Sequence, residues 1–189
     1  MVEKLDHSIV VVKEKYITKD HEVFQLSTSK VEKYKYLISD ENDKELFNCK
    51  IHNHGDPSII KDANDKDIIH FTMHNSLDFS KSKVNFSVCE EKTKDQTITF
   101  TYRRSTKERK YLIEFSNEKG FNEVLDAVED NNKEFTIYYG KKSSEGIPIC
   151  KVKRESSLSH NCTFELEPGL DKVLFITIII YIIFLFEQC

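Results

Sequence analysis

Hydrophobic and polar residues alternate along most of this chain. In "QTITFTYR" Ile98, Phe100 and Tyr102 fall on one face and Thr97, Thr99 and Thr101 on the other. "KVNFSVCE" aligns Val84, Phe86 and Val88, "KYLIEF" aligns Tyr111, Ile113 and Phe115, and "EFTIYY" aligns Phe135, Ile137 and Tyr139. "NCTFEL" does the same with Cys162, Phe164 and Leu166. Each reads as a strand with one wet and one dry face. Polar clusters such as "SDENDKE", "KDANDKD", "RRSTKER" and "GKKSSEG" separate them as hairpin connections, giving about twelve strand candidates. "GFNEVLDAVEDN" departs from this pattern. There Phe121, Val124, Leu125 and Val128 recur at helical spacing, which predicts a short amphipathic surface helix.

The ending is different again. Val173 to Phe186 is a run of 14 residues without a charge. As a helix it would span roughly 21 Å, against a bilayer core of about 30 Å. As a strand it would run roughly 46 Å, far past the usual length of about 3 to 10 residues. No cluster of basic residues flanks it to set a membrane orientation. A helix apolar on every side must be enclosed by protein or lipid. "EPGLDK" supplies its start, with Pro168 and Gly169 breaking the preceding strand and Asp171 suited to the helix N-terminus. A closed barrel removes exposed sheet edges, and one of about twelve strands is too wide to be filled by its own side chains. The predicted fold is therefore a mainly β, closed antiparallel barrel wrapped around a buried C-terminal helix at about residues 170–186, with residues 1–189 as one domain. The alternative is a tail-anchored or scramblase-like membrane protein that uses this segment in lipid.

Composition refines the picture. A net charge of −4 gives no global reason to bind nucleic acid. Thr101 to Arg154 is mildly basic, with 12 Lys/Arg against 9 Asp/Glu. The five cysteines, Cys49, Cys89, Cys150, Cys162 and Cys189, are scattered without a Cys-x-x-Cys pair, as expected of reduced thiols in a cytoplasmic protein. The apolar run Ile9 to Val12 is too short for a signal-peptide core.

Two successive hairpins of the form strand, Asp-containing turn, strand lie in "YLISDENDKELFNCKIHNHGDPSIIKDANDKDIIHFTMH". This passage, the later hairpin "IYYGKKSSEGIPICKVKRE" and the close "FELEPGLDKVLFITIII" resemble the tubby C-terminal-like, LURP-one-related and phospholipid-scramblase-like superfamily. The resemblance runs from about Tyr34 to Phe186. Asn42 and Lys66 are taken to stand where glycine is common in the family's turns. It implies a β-barrel around a hydrophobic helix, no accepted catalytic motif, no cofactor, and binding of phospholipid head groups or a protein. A monomer, cytoplasmic or peripheral at membranes, is the expectation.

Candidate chemistry follows from the cations and histidines. Arg103, Arg104, Lys107, Arg109 and Lys110 crowd one predicted hairpin; Lys141, Lys142, Lys151, Lys153 and Arg154 crowd another. Such clusters can hold a phosphorylated head group by charge-assisted hydrogen bonds, as the resemblance implies for the barrel surface. The competing reading is a solvated outer face, with acids such as Glu108 and Glu145 interspersed. A metal reading rests on "HNH" and "HFTMH": His52 and His54, and His70 and His74, each have even spacing and point to one strand face. The ordinary reading is solvent-side histidines beside a hairpin, and no metal is expected. "DANDKD" lacks the glycine and glutamate of a calcium loop and is read as a turn. Glu165, Glu167 and Asp171 do not reproduce the acidic spacing linked to calcium in scramblase-like relatives.

Overall fold

The alternating segments build twelve strands that close on themselves. The computed structural model describes residues 5, 7–52, 56–75, 80–89, 95–104, 109–131, 133–156 and 159–188, with the backbone alone at 103–104, 131 and 185–188. The strands are β1 (Glu22–Thr28), β2 (Lys35–Asp40), β3 (Glu45–Lys50), β4 (Ser58–Asp62), β5 (Asp67–Asn75) and β6 (Lys81–Val88). They continue as β7 (Gln96–Arg104), β8 (Arg109–Ser116), β9 (Asn122–Asn131), β10 (Glu134–Tyr139), β11 (Ile147–Arg154) and β12 (Cys162–Leu166). Each pairs antiparallel with its chain neighbour, and β1 pairs with β12 to complete the circle. The C-terminal helix α1 (Lys172–Gln188) fills the lumen.

The dry faces read from the sequence line that lumen. Phe24, Ile38, Ile60, Phe71, Phe100, Ile113, Ile137, Val152 and Phe164 are all buried against residues of α1 from Val173 to Ile183. The helix is apolar all round because wall surrounds it on every side. Among its described side chains the buried Thr177 and Tyr181 both have partners. Thr177 Oγ1 donates to the Val173 carbonyl at 2.8 Å, and the Tyr181 hydroxyl donates to Asn75 at the far end of β5. Among the described residues no helix is long and apolar enough to cross a membrane.

Where α1 enters the barrel, the N-terminal segment closes the end. Ile9, Val10, Val11 and Val12 are buried there, and Ile9 N–H donates to Gly169 O at 2.8 Å. The short apolar run that could not serve as a signal core is thus a plug. Asp171 fastens it. Its carboxylate, with no exposed surface, accepts from Val11, Val12 and Lys13 N–H through Oδ2 at 3.2, 2.7 and 3.3 Å. Through Oδ1 it caps α1 by accepting from Val173 and Leu174 N–H at 3.1 and 3.2 Å. Burial pushes the carboxyl's pKa up, while these backbone donors pull it the other way. Thr18 adds a second clasp, its hydroxyl donating to Glu167 O at 2.7 Å and accepting from Leu170 N–H at 2.9 Å.

Three hairpins use one turn design. Asp40 Oδ1 accepts from Asn42 and Lys44 N–H at 2.9 and 3.0 Å, and Asp62 Oδ1 accepts from Asn64 and Lys66 N–H at 2.9 and 3.1 Å. Asn117 repeats this with Lys119 and Phe121, both at 3.0 Å. The left-handed position is Asp43 (φ 60°), Asp65 (φ 63°) and Gly120 (φ 80°) in the three turns. Asn42 and Lys66 are therefore not the residues that replace glycine; Asp43 and Asp65 are, and aspartate tolerates this conformation better than most side chains.

The helix predicted over 120–131 is instead strand β9. Leu125 and Ala127 face the lumen, whereas Val128 is buried on the outer wall. Lys142 covers that wall, its N–H donating to Asp126 Oδ2 at 3.0 Å and its Nζ lying 3.6 Å from Asp130 Oδ1. A strand with apolar residues on both faces loses its period of two and imitates helical spacing. Among the described residues the short helices are the 3-10 turns Glu14–Tyr16 and Lys142–Ser144.

Asp171→Asn tests the clasp. Whichever way the amide turns, two or three backbone N–H groups then face an NH2, and each unmade buried bond costs roughly 1–3 kcal/mol. A loss of about 2–4 kcal/mol in urea unfolding is expected; an unchanged midpoint would contradict the assignment.

Candidate functional site

Because the strands alternate in direction, β7 ends, β8 begins and β11 ends at the same mouth of the barrel, the one toward which α1 runs. Arg103 pairs with Lys110 and Arg104 with Arg109 in the β7–β8 register. Lys153 and Arg154 end β11 at this mouth. The second basic cluster is not one surface. Lys141 and Lys142 follow β10 at the opposite end, and Lys151 stands on the outer wall opposite Glu165 and Thr136. Lys107 lies outside the described residues.

The mouth also holds acids that the reading of the cations overlooked. Arg154 points inward and is only 4% exposed at its side chain, with Nη2 3.8 Å from Glu129 Oε1. Arg109 Nε donates to Glu129 Oε2 at 2.9 Å. One inward carboxylate thus sits between guanidinium groups from β8 and β11. Burial pushes the Arg154 pKa down; Glu129 opposes that shift and Arg109 adds to it. Lys153 is 72% exposed with Nζ 3.8 Å from Glu134, a contact of the kind that contributes little. Arg109 and Arg154 thus tie strands together, while the strand register places Arg103, Arg104, Lys110 and Lys153 at the same end of the barrel. Glu129 could have been found by its even spacing from Leu125 and Ala127 once "NEVLDAVED" is treated as a strand.

The described histidines of this set, His52, His70 and His74, do not all converge. His52 and His74 line one cleft of about 410 Å³ with Asp56, Asn75 and Phe184 at the mouth. His70 lies apart, with Nε2 2.8 Å from Asp67 Oδ2, and this hydrogen bond leads the causes that hold the Asp67 carboxyl below its ordinary range. His54 lies outside the described residues. Asp171 is taken up by backbone donors, while Glu165 and Glu167 lie 3.7 and 3.3 Å from the ring nitrogens of His21. Cys49, Cys150 and Cys162 are buried, and burial pushes their thiols up, the last to about 12.

A closed up-and-down antiparallel barrel with a hydrophobic helix as its core defines the fold class. The profile of the LURP-one-related family matches residues 12–183, and the chain belongs to that family. A protein of Arabidopsis thaliana solved by X-ray crystallography shares the fold, with TM-score 0.55 and 12% identity over 92% of this chain and 96% of that one. No curated protein matches the sequence.

Glu129→Gln should leave the Arg154 charge buried beside Arg109. Breaking a buried pair costs about 3–5 kcal/mol, and the partly exposed Arg109 places this case near 3. Arg109→Ala should cost under about 1 kcal/mol, as for exposed pairs. Urea denaturation of both variants checks the order; equal effects would refute it.

Proposed function

We propose that the barrel is a non-enzymatic docking domain whose mouth rim engages phosphorylated lipid head groups at a membrane surface. The observation that carries this is that the strand directions bring Arg103, Arg104 and Lys110 to the same end of the barrel as Lys153. The lumen is unsuited to an anion, since Glu129 faces inward and α1 directs its negative C-terminal dipole toward this mouth. The head group therefore docks on the rim. Lys141 and Lys142, at the other end, take no part, and Arg109 and Arg154 serve the wall. Membership of a family of barrel domains that are generally non-enzymatic supports the absence of catalysis.

Flotation with phosphoinositide-containing vesicles at physiological salt tests this. Each juxtamembrane cation contributes about 1 kcal/mol, so replacing Arg103, Arg104, Lys110 and Lys153 by alanine should weaken binding by on the order of a hundredfold or more. Lys141→Ala with Lys142→Ala should bind as wild type. Equal flotation of the rim variant and wild type rejects the lipid reading and leaves a protein as the partner.

A further inference from the structure

We propose that Asp67, His70 and Cys89 form a binding site for a zinc-like divalent metal ion on the outer wall of the barrel. One ligand atom from each lies within 4.8 Å of the others. A tetrahedral zinc site with bonds of about 2.0–2.3 Å places its ligands roughly 3.3–3.8 Å apart, so side-chain rotations suffice to close the set. Carboxylate oxygen, imidazole nitrogen and thiolate sulfur are the donors that zinc accepts, and three of them leave a fourth position for water.

Backbone geometry makes the cluster. Asp67 and His70 are three residues apart and would face opposite sides of a regular strand. The β4–β5 register shifts between Ile60 and Lys61, so that Ile60 opposes Ile69 and Lys61 opposes Asp67. Ile68 is the extra residue, and both Ile68 and Ile69 are buried. This bulge turns Asp67 back onto the outer face beside His70. Cys89 is brought in from the end of β6, where its N–H donates to Ile68 O at 2.9 Å and Ser87 opposes His70. Lys61 Nζ sits 3.5 Å from Asp67 Oδ1, on the other oxygen from the one that meets His70.

The preceding hairpin is an internal comparison. The β2–β3 register shifts in the same way between Ile38 and Ser39, and Asn48 Nδ2 donates to Glu45 Oε1 at 3.3 Å in the corresponding place. An acid facing a polar partner across the bulge is thus part of the hairpin design. Only in the second hairpin is the partner an imidazole with a thiol alongside. The set stands where β5 begins and β6 ends, on the outward face of that end of the barrel. Asp67 and His70 side chains are each 37% exposed and Cys89 is exposed, so an ion can reach them.

Titration of the purified full chain with Co2+ under a non-thiol reductant reads the site directly. Expected are saturation at one ion per chain, a near-ultraviolet thiolate-to-cobalt charge-transfer band, and displacement by Zn2+. Cys89→Ser should abolish the band. His70→Ala should weaken binding more than about 100-fold, beyond the roughly tenfold to hundredfold cost of losing a supporting group. Cys189→Ser should change nothing. Both site variants should keep the wild-type unfolding midpoint without metal, and only wild type should gain stability from added Zn2+. The proposal fails if the band survives Cys89→Ser, if His70→Ala binds as wild type, if binding is lost instead with His52→Ala and His74→Ala, or if no ion binds.

Discussion

A helix cannot be lowered into a greasy lumen unless the N–H groups of its first turn find acceptors on the way in. Asp171 meets that constraint with one oxygen, and with the other it meets the same need in the N-terminal segment. A single buried carboxylate therefore joins the two chain ends that plug the barrel. Without the helix a wall of this many strands would enclose a void, which close packing does not tolerate. Without the clasp the helix would enter with orphaned donors. The wall, its filling and its closure depend on one another through this residue.

The wall takes up part of the charge that made the sequence look functional. Arg154 and Arg109 meet Glu129, Lys142 reaches Asp130, and Lys172 Nζ lies 2.7 Å from Glu22. The bulged hairpins show a second economy. The same turn and register shift serve twice, yet different side chains at equivalent places give an amide pair in one and a carboxylate, imidazole and thiol in the other.

The barrel and its core helix were legible because each wall strand with one wet face keeps its period of two, and because a charge-free run of that length can be enclosed by protein. Asp171 was legible as a cap from "PGLDK", but its grip on Val11 to Lys13 was not, since no local pattern links positions so far apart. β9 was misread where Lys142 covers its outer face and Val128 turns apolar on the wet side. The basic clusters were legible as composition only. Which lysines share a mouth depends on strand direction, and which arginines turn inward depends on register. Cys89 was invisible as a partner of His70 because a bulge and a neighbouring strand bring them together.

Native-state hydrogen exchange resolved by residue tests the central interdependence most directly. The amides of Val11, Val12 and Lys13, near the chain start, should exchange only through global unfolding, with the same free energy as Val173 and Leu174 and as the central wall strands. Rapid exchange at Val11 to Lys13 while the wall and α1 stay protected would show that the plug is a loose appendage and would contradict the account.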